Sequence, residues 1–111
     1  MLKTAVLLVG GRSLRLRQYT EDIPKCMVEI GGKPLIEWIF DWLKDNSIEN
    51  VVLGVAYKKE AIINHIGDGS KFNLNVKYND HSNAQDTGDA FRMAIENCGV
   101  TDKHFLAMNG D

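Results

Sequence analysis

The sequence predicts an α/β fold, a mainly parallel sheet with helices on both of its faces. Three observations carry that expectation. Residues 4–9, TAVLLV, and 50–57, NVVLGVAY, are continuous apolar runs, as strands buried on both faces require. Segments with apolar residues at helical spacing fall between the strand-like runs. Turn-forming glycine, asparagine and proline mark the boundaries.

Each element follows in order. The run 4–9 stops at Gly10–Gly11. Pro34 then opens PLIEWIFDWLKDN as a helix, at a first position where its missing N–H costs nothing. Leu35, Ile36, Ile39, Trp42 and Leu43 share its apolar face, and Asn46 is its stop. Trp38 and Trp42, four apart, are expected as core or packing residues. After the strand at 50–57, KKEAIINHI reads as a short helix closed by the turn-rich GDGSKFN. LNVKY, 74–78, alternates apolar and polar residues and is a third strand. DTGDAFRMAIENCG is a third helix, with Phe91, Ala94, Ile95 and Cys98 on one face and Gly99 as its stop. Asp86 or Thr87 would cap it, and Asp89 would sit in its positive first turn. HFLAM, 104–108, is the fourth strand and leads into NGD. Right-handed crossovers distribute the helices over both faces. No repeat, linker or low-complexity segment interrupts this single unit.

A chain of 111 residues holds one modest domain. With 44% hydrophobic and 25% charged residues it falls outside the disordered, collagenous and disulfide-scaffold classes. The net charge of −2 gives no general affinity for nucleic acid or membranes, so any basic site is local. Cys26 and Cys98 lie far apart without metal-ligand spacing and read as free thiols. His65, His81 and His104 show no mutual spacing for a metal or a relay and are expected as surface or boundary residues. The apolar start MLKTAVLLVGG is too short for a signal peptide or a span, so a cytoplasmic location is expected.

The segment VLLVGGRSLRLRQYTEDIPKCM carries the chemistry. Ligands of open parallel sheets bind beyond the carboxyl ends of the strands, where Gly10–Gly11 falls. Glycines let backbone N–H groups approach a phosphate and permit positive φ. Arg12, Arg15 and Arg17 supply guanidinium forks suited to phosphate oxygens. The pattern is neither GxGxxG nor GxxxxGK[ST]. A tight turn with solvated arginines accounts for the same residues, and composition does not separate the two readings.

VGGRSLRLRQYTEDIPKCMVEIGGKPLIEWI resembles the signature of the sugar-phosphate nucleotidylyltransferases, GG-x-G-T-R-L-x-P-x-T-x-x-x-P-K. The turn IGDGSKFNLNVKY, the segment QDTGDA and the strand end LAMNGD are similar to further family segments, in the expected order along nearly the whole chain. The resemblance implies a Rossmann-like fold of the nucleotide-diphospho-sugar transferase type, with strand order 3-2-1-4 and the last strand an open edge. It implies transfer of a nucleoside monophosphate from a nucleoside triphosphate to a sugar 1-phosphate, with release of pyrophosphate. On this alignment Gly10, Gly11 and Ser13 belong to the triphosphate loop, and Arg15 steadies the leaving pyrophosphate. Lys25 sits at the phosphates, Thr87 and Gly88 meet the base, and Asp111 holds Mg²⁺. Arg12 and Arg17 are auxiliary or solvated.

Three departures from the family pattern stand out. Ser13 and Leu14 replace a glycine and a threonine; a Cβ at 13 disfavours a left-handed backbone by roughly 1–2 kcal/mol. Gln18 replaces a stiffening proline. Asp86 replaces a glycine near the base; being acceptor-only, it would favour guanine or cytosine unless it merely caps the helix. Family members continue beyond NGD, so residues 1–111 are expected to be the nucleotide-binding half of a longer enzyme, without turnover alone. The oligomeric state of that parent, homo-oligomer included, stays open. A non-catalytic sensing or assembly module of this fold, and transfer to choline phosphate or another small phosphorylated acceptor, are the alternatives.

Overall fold

A computed structural model describes residues 2–11 and 23–110. All five residues of the first strand, β1 (Thr4–Leu8), are buried, as its unbroken apolar run requires. It lies inside a four-stranded sheet between β4 (Asn50–Val55) and β6 (Leu106–Asn109), with β5 (Asn75–Asp80) beyond β4. Every pairing is parallel, and Val6 stands opposite Val52 on one side and Ala107 on the other. The sheet order β5-β4-β1-β6 is the expected 3-2-1-4, with β6 at an edge.

Strand alternation sends β1 side chains to two cores. Ala5, Leu7 and Val9 face α1 (Leu35–Asp45) and α2 (Lys59–Ile66), where Ile36, Phe40, Leu43, Ile62 and Ile66 are buried. Val6 and Val52 face α3 (Thr87–Asn97), packed against Ala94, Phe91 and Ile95. Helices therefore cover both faces. Phe40 is the largest fully buried side chain and meets Phe72 edge-on, with ring centroids 5.3 Å apart.

Several boundaries differ from the sequence expectation, each for a local reason. Gly31 and Gly32, both at positive φ, turn a short antiparallel hairpin, β2 (Glu29–Ile30) and β3 (Lys33–Pro34). Pro34 thus ends β3 and caps α1, which starts one residue later than expected. β5 runs two residues past Tyr78, because Asn79 and Asp80 stay in register with Gly54 and Val55. β6 sits slightly later, at Leu106–Asn109. Trp38 and Trp42 are not core residues: they are 45% and 50% exposed. Ile36, Phe40 and Leu43 already fill the buried stripe of α1. Trp38 instead rests on the hairpin, its Nε1 donating to the Ile30 carbonyl at 2.7 Å, with the Lys33 ammonium 4.1 Å from the ring centroid.

Candidate functional site

Because the sheet is parallel, its strands deliver their carboxyl ends to one rim. β1 runs out into Gly10–Gly11, β4 into Ala56, β5 into His81 and β6 into Gly110. Backbone bonds lock these ends together. Val9 N donates to Gly54 O at 2.8 Å, Gly110 N to Leu8 O at 2.9 Å, and Lys25 N to Gly11 O at 3.2 Å. Between them opens a cleft of about 300 Å³, lined by Leu8, Gly10, Gly11, His81, Asp86 and Thr87 among others.

The N-terminus of α3 forms one wall. Asp86 Oδ1 accepts from Asp89 N at 2.8 Å, and Asp89 Oδ2 accepts in turn from Gln85 N at 3.0 Å. This reciprocal cap satisfies two amide groups that the first turn would otherwise leave open. The Gln85 amide, followed by Arg92, holds the Asp89 carboxyl below the usual carboxylate range. Thr87 is then the first helical residue and lines the cleft, beside the positive end of the helix dipole.

The opposite wall rests on His81. A Cβ on Gly10 would lie 2.6 Å from the His81 ring, and one on Gly54 would lie 2.9 Å from it. The imidazole therefore leans across two strand ends at positions where any side chain would collide. Gly10 is glycine for space, since its φ is outside the left-handed region. Among the described residues His81 Nε2 is buried and has no hydrogen-bond partner, an arrangement that costs about 1–3 kcal/mol. The residue is nevertheless held firmly. Its N–H donates to Val55 O at 2.8 Å, and its carbonyl accepts from Ala84 N at 2.9 Å. Just before it, Asp80 accepts from Lys59 Nζ at 2.7 Å and from Ser82 N and Oγ at 2.8 and 2.6 Å. These hydrogen bonds, Lys59 first, hold the Asp80 carboxyl far below its ordinary range, and the same pairing raises Lys59.

Of the sequence-derived site residues, Gly10, Gly11 and Thr87 converge on the cleft. Gly88 is exposed next to Thr87, and Lys25 is exposed with its backbone tied to Gly11. Ser13, Arg15 and Asp111, together with Arg12, Leu14, Arg17 and Gln18, lie outside the described residues. Asp86, rather than Thr87, is the helix cap. His104 is exposed and His65 pairs with Glu37 at 2.5 Å, as boundary histidines do. His81 is the residue that sequence reasoning missed. A glycine inside a buried strand, Gly54, was its available signal, since such a glycine marks a close approach. Among the described residues no group of three His, Cys, Asp or Glu could hold a metal ion, and no helix is long and apolar enough to cross a membrane.

A parallel sheet whose strand ends and helix N-terminus frame a glycine-walled cleft defines an open α/β fold with a ligand cleft at its carboxyl rim. The model of the nucleotidyl transferase family matches residues 4–111, and the chain belongs to that family. The bifunctional protein GlmU of Methanococcus aeolicus is 38% identical over 107 residues, which cover 96% of this chain and 24% of that protein. The D-glycero-alpha-D-manno-heptose 1-phosphate guanylyltransferase of Campylobacter jejuni is 35% identical over 107 residues, 96% of this chain and 47% of that one. Among solved structures, HddC from Yersinia pseudotuberculosis in complex with GMP-PN superposes with a TM-score of 0.77 at 30% identity. That match covers 99% of this chain and 48% of HddC. The chain thus spans half or less of the length of these relatives.

Proposed function

We propose that the protein carrying this chain transfers a nucleoside monophosphate from a nucleoside triphosphate to a sugar 1-phosphate, and that residues 1–111 form its nucleotide-binding half. The observation that carries this reading is the convergence of Gly10, Gly11 and Thr87 on one cleft at the strand ends, in a chain matched by its family almost throughout. In the reaction an oxygen of the sugar phosphate attacks the α-phosphorus. The bond from that phosphorus to the α–β bridging oxygen breaks, and pyrophosphate leaves with the electron pair. Such a transfer depends on positioning and charge neutralisation more than on covalent chemistry.

Each residue has a role in this proposal. The backbone of Gly10, Gly11 and Ser13 cradles the triphosphate, with Arg15 at the departing pyrophosphate. Lys25, whose backbone is anchored to Gly11, brings a compact positive charge to the phosphates. Thr87 and Gly88 meet the base at the start of α3. Asp111 is the proposed Mg²⁺ ligand. A carboxylate oxygen suits that hard ion, and β6 ends beside the cleft, with Asn109 in its lining. When bound, the ion would neutralise charge on the phosphate oxygens. Asp86 keeps α3 capped, so its departure from the family pattern has a structural use that leaves the cleft open.

The test is Mg²⁺-dependent pyrophosphate release by the full-length protein, measured with four nucleoside triphosphates against sugar 1-phosphates and choline phosphate. Release with a sugar 1-phosphate is expected, and none from residues 1–111 alone. An intact, folded full-length protein that releases none would turn the reading to a sensing or assembly module.

A further inference from the structure

The face of α1 that turns away from the sheet carries a surface the proposed reaction does not use. Among the described residues, the exposed large apolar side chains are Leu2, Ile30, Trp38 and Trp42, and the last three gather on α1 and the hairpin before it. The Trp38 bond to the Ile30 carbonyl holds the hairpin at the amino end of this cluster. At roughly 100° per residue, Trp38, Asp41, Trp42 and Asp45 form one outward stripe, and all four are exposed. Lys44 and Glu37 fall on its flank, and Glu37 is occupied by His65. Exposed apolar side chains gathered in this way mark a contact surface.

The stripe repeats one unit, a tryptophan followed three residues later by an aspartate. In the first unit Lys33 lies over the Trp38 ring and pairs with Asp41. The second unit, Trp42 and Asp45, has no such cation among the described residues. The stripe is therefore polarised, with the Lys33 ammonium toward one end and the unpaired Asp45 carboxylate at the other.

We propose that this face docks on a second copy of the chain, α1 against α1 about a two-fold axis. Such an axis makes the helices antiparallel, and every contact between unlike residues then occurs twice. The Lys33 end of each copy faces the Asp45 end of the other, and the tryptophans pack between them, where aromatic anchors contribute most. Lys33 can serve both carboxylates, because an ammonium has three donors. A specific interface buries about 800 Å² on each side. The tryptophans form its centre, and Ile30 with the hairpin widens it. α1 and α3 pack on opposite faces of the sheet, so this contact leaves the cleft of each copy open.

Sedimentation of the full-length protein over a range of concentrations tests the proposal, and a reversible dimer is expected. Trp42→Lys, at a half-exposed position, should raise its dissociation constant at least tenfold while the thermal transition stays in place. Asp45→Lys and Lys33→Glu should each weaken self-association about tenfold, since like charges then face each other twice. Mixed in equal amounts, these two variants should associate about as tightly as the unaltered protein. Lys33 of one then meets Asp45 of the other, and the introduced glutamate meets the introduced lysine. A dimer formed elsewhere on the molecule, or a stripe covered from within the same chain, would not show that rescue. A monomer at every concentration, a dimer indifferent to Trp42→Lys, or a mixture no tighter than its components overturns the proposal. The first of these outcomes assigns the stripe to the remainder of the full-length protein instead.

Discussion

The two ends of the parallel sheet use polar groups in opposite ways. At the amino ends a cavity of about 240 Å³ is lined by Thr4, Asn50, Asn75, Lys77, Cys98 and Asp102 among others. Its polar atoms bond to each other. Thr4 Oγ1 donates to Asp102 at 2.7 Å, Asn75 to Asn50 at 3.2 Å, and Lys77 to the Cys98 carbonyl at 3.4 Å. At the carboxyl ends a cleft of similar size keeps His81 Nε2 buried without a partner among the described residues, beside Gly10, where a Cβ would collide with the ring. Cavity size does not distinguish the ends; hydrogen-bond satisfaction does. A self-satisfied pocket stabilises the fold, whereas an unsatisfied one is ready for a ligand.

Substitutions at the two ends should therefore separate binding from stability. The largest effect is expected for Gly10→Ala, whose Cβ would meet the His81 ring at 2.6 Å. Triphosphate affinity of the full-length protein should fall at least tenfold, about 1.4 kcal/mol, as read by calorimetric titration. Unchanged affinity would break the contrast. Thr4→Ala should do the reverse at the other end. It removes the bond to Asp102 and costs about 1 kcal/mol in denaturant melts, with triphosphate affinity unaltered.

The smallest effect is a division by pH. Asp80, near the cleft, has a folded pKa below its unfolded one. Its contribution is present above the ordinary carboxylate pKa of about 4 and is lost as pH falls below that. Tyr78, two residues earlier on the same strand, is pushed up to about 12 by burial and then by the charge of Asp68, while its hydroxyl donates to Gly67 O. Its contribution is complete below pH of about 10 and disappears as pH rises through the folded value. For a half-exposed phenol, screening leaves a loss of roughly 1 kcal/mol. Stability melts across pH should be flat from this pair between about pH 5 and 9. Tyr78→Phe should remove the alkaline slope, and Asp80→Asn the acid one.

Much of the architecture was legible in residue order. The unbroken run at 4–9 and the helical spacing around Phe91, Ala94 and Ile95 both correspond to the observed burial. These patterns are legible because each records the solvent preference of neighbours along the chain. The hairpin at Gly31–Gly32 was not, since strands of two residues leave no periodicity to read. Trp38 and Trp42 misled for a related reason. Spacing places residues on a helix face, but the width of the buried stripe depends on what packs against it, here satisfied by Ile36, Phe40 and Leu43.

The candidate site divides along the same line. Gly10, Gly11 and Lys25 stood out through a contiguous signature and Thr87 through the separate segment QDTGDA, because each is a short stretch that carries its own local chemistry. His81 did not, because its significance comes from Gly10 and Gly54, which are distant in sequence and meet it only at the sheet's rim. By itself the sequence determined the buried faces and the loop that meets the strand ends, consequences of local pattern, while the strand order came from the family resemblance. The tertiary structure alone decided which polar groups among the described residues found partners and which did not. Hydrogen-bond satisfaction is a property of three-dimensional neighbours, and no one-dimensional spacing encodes it.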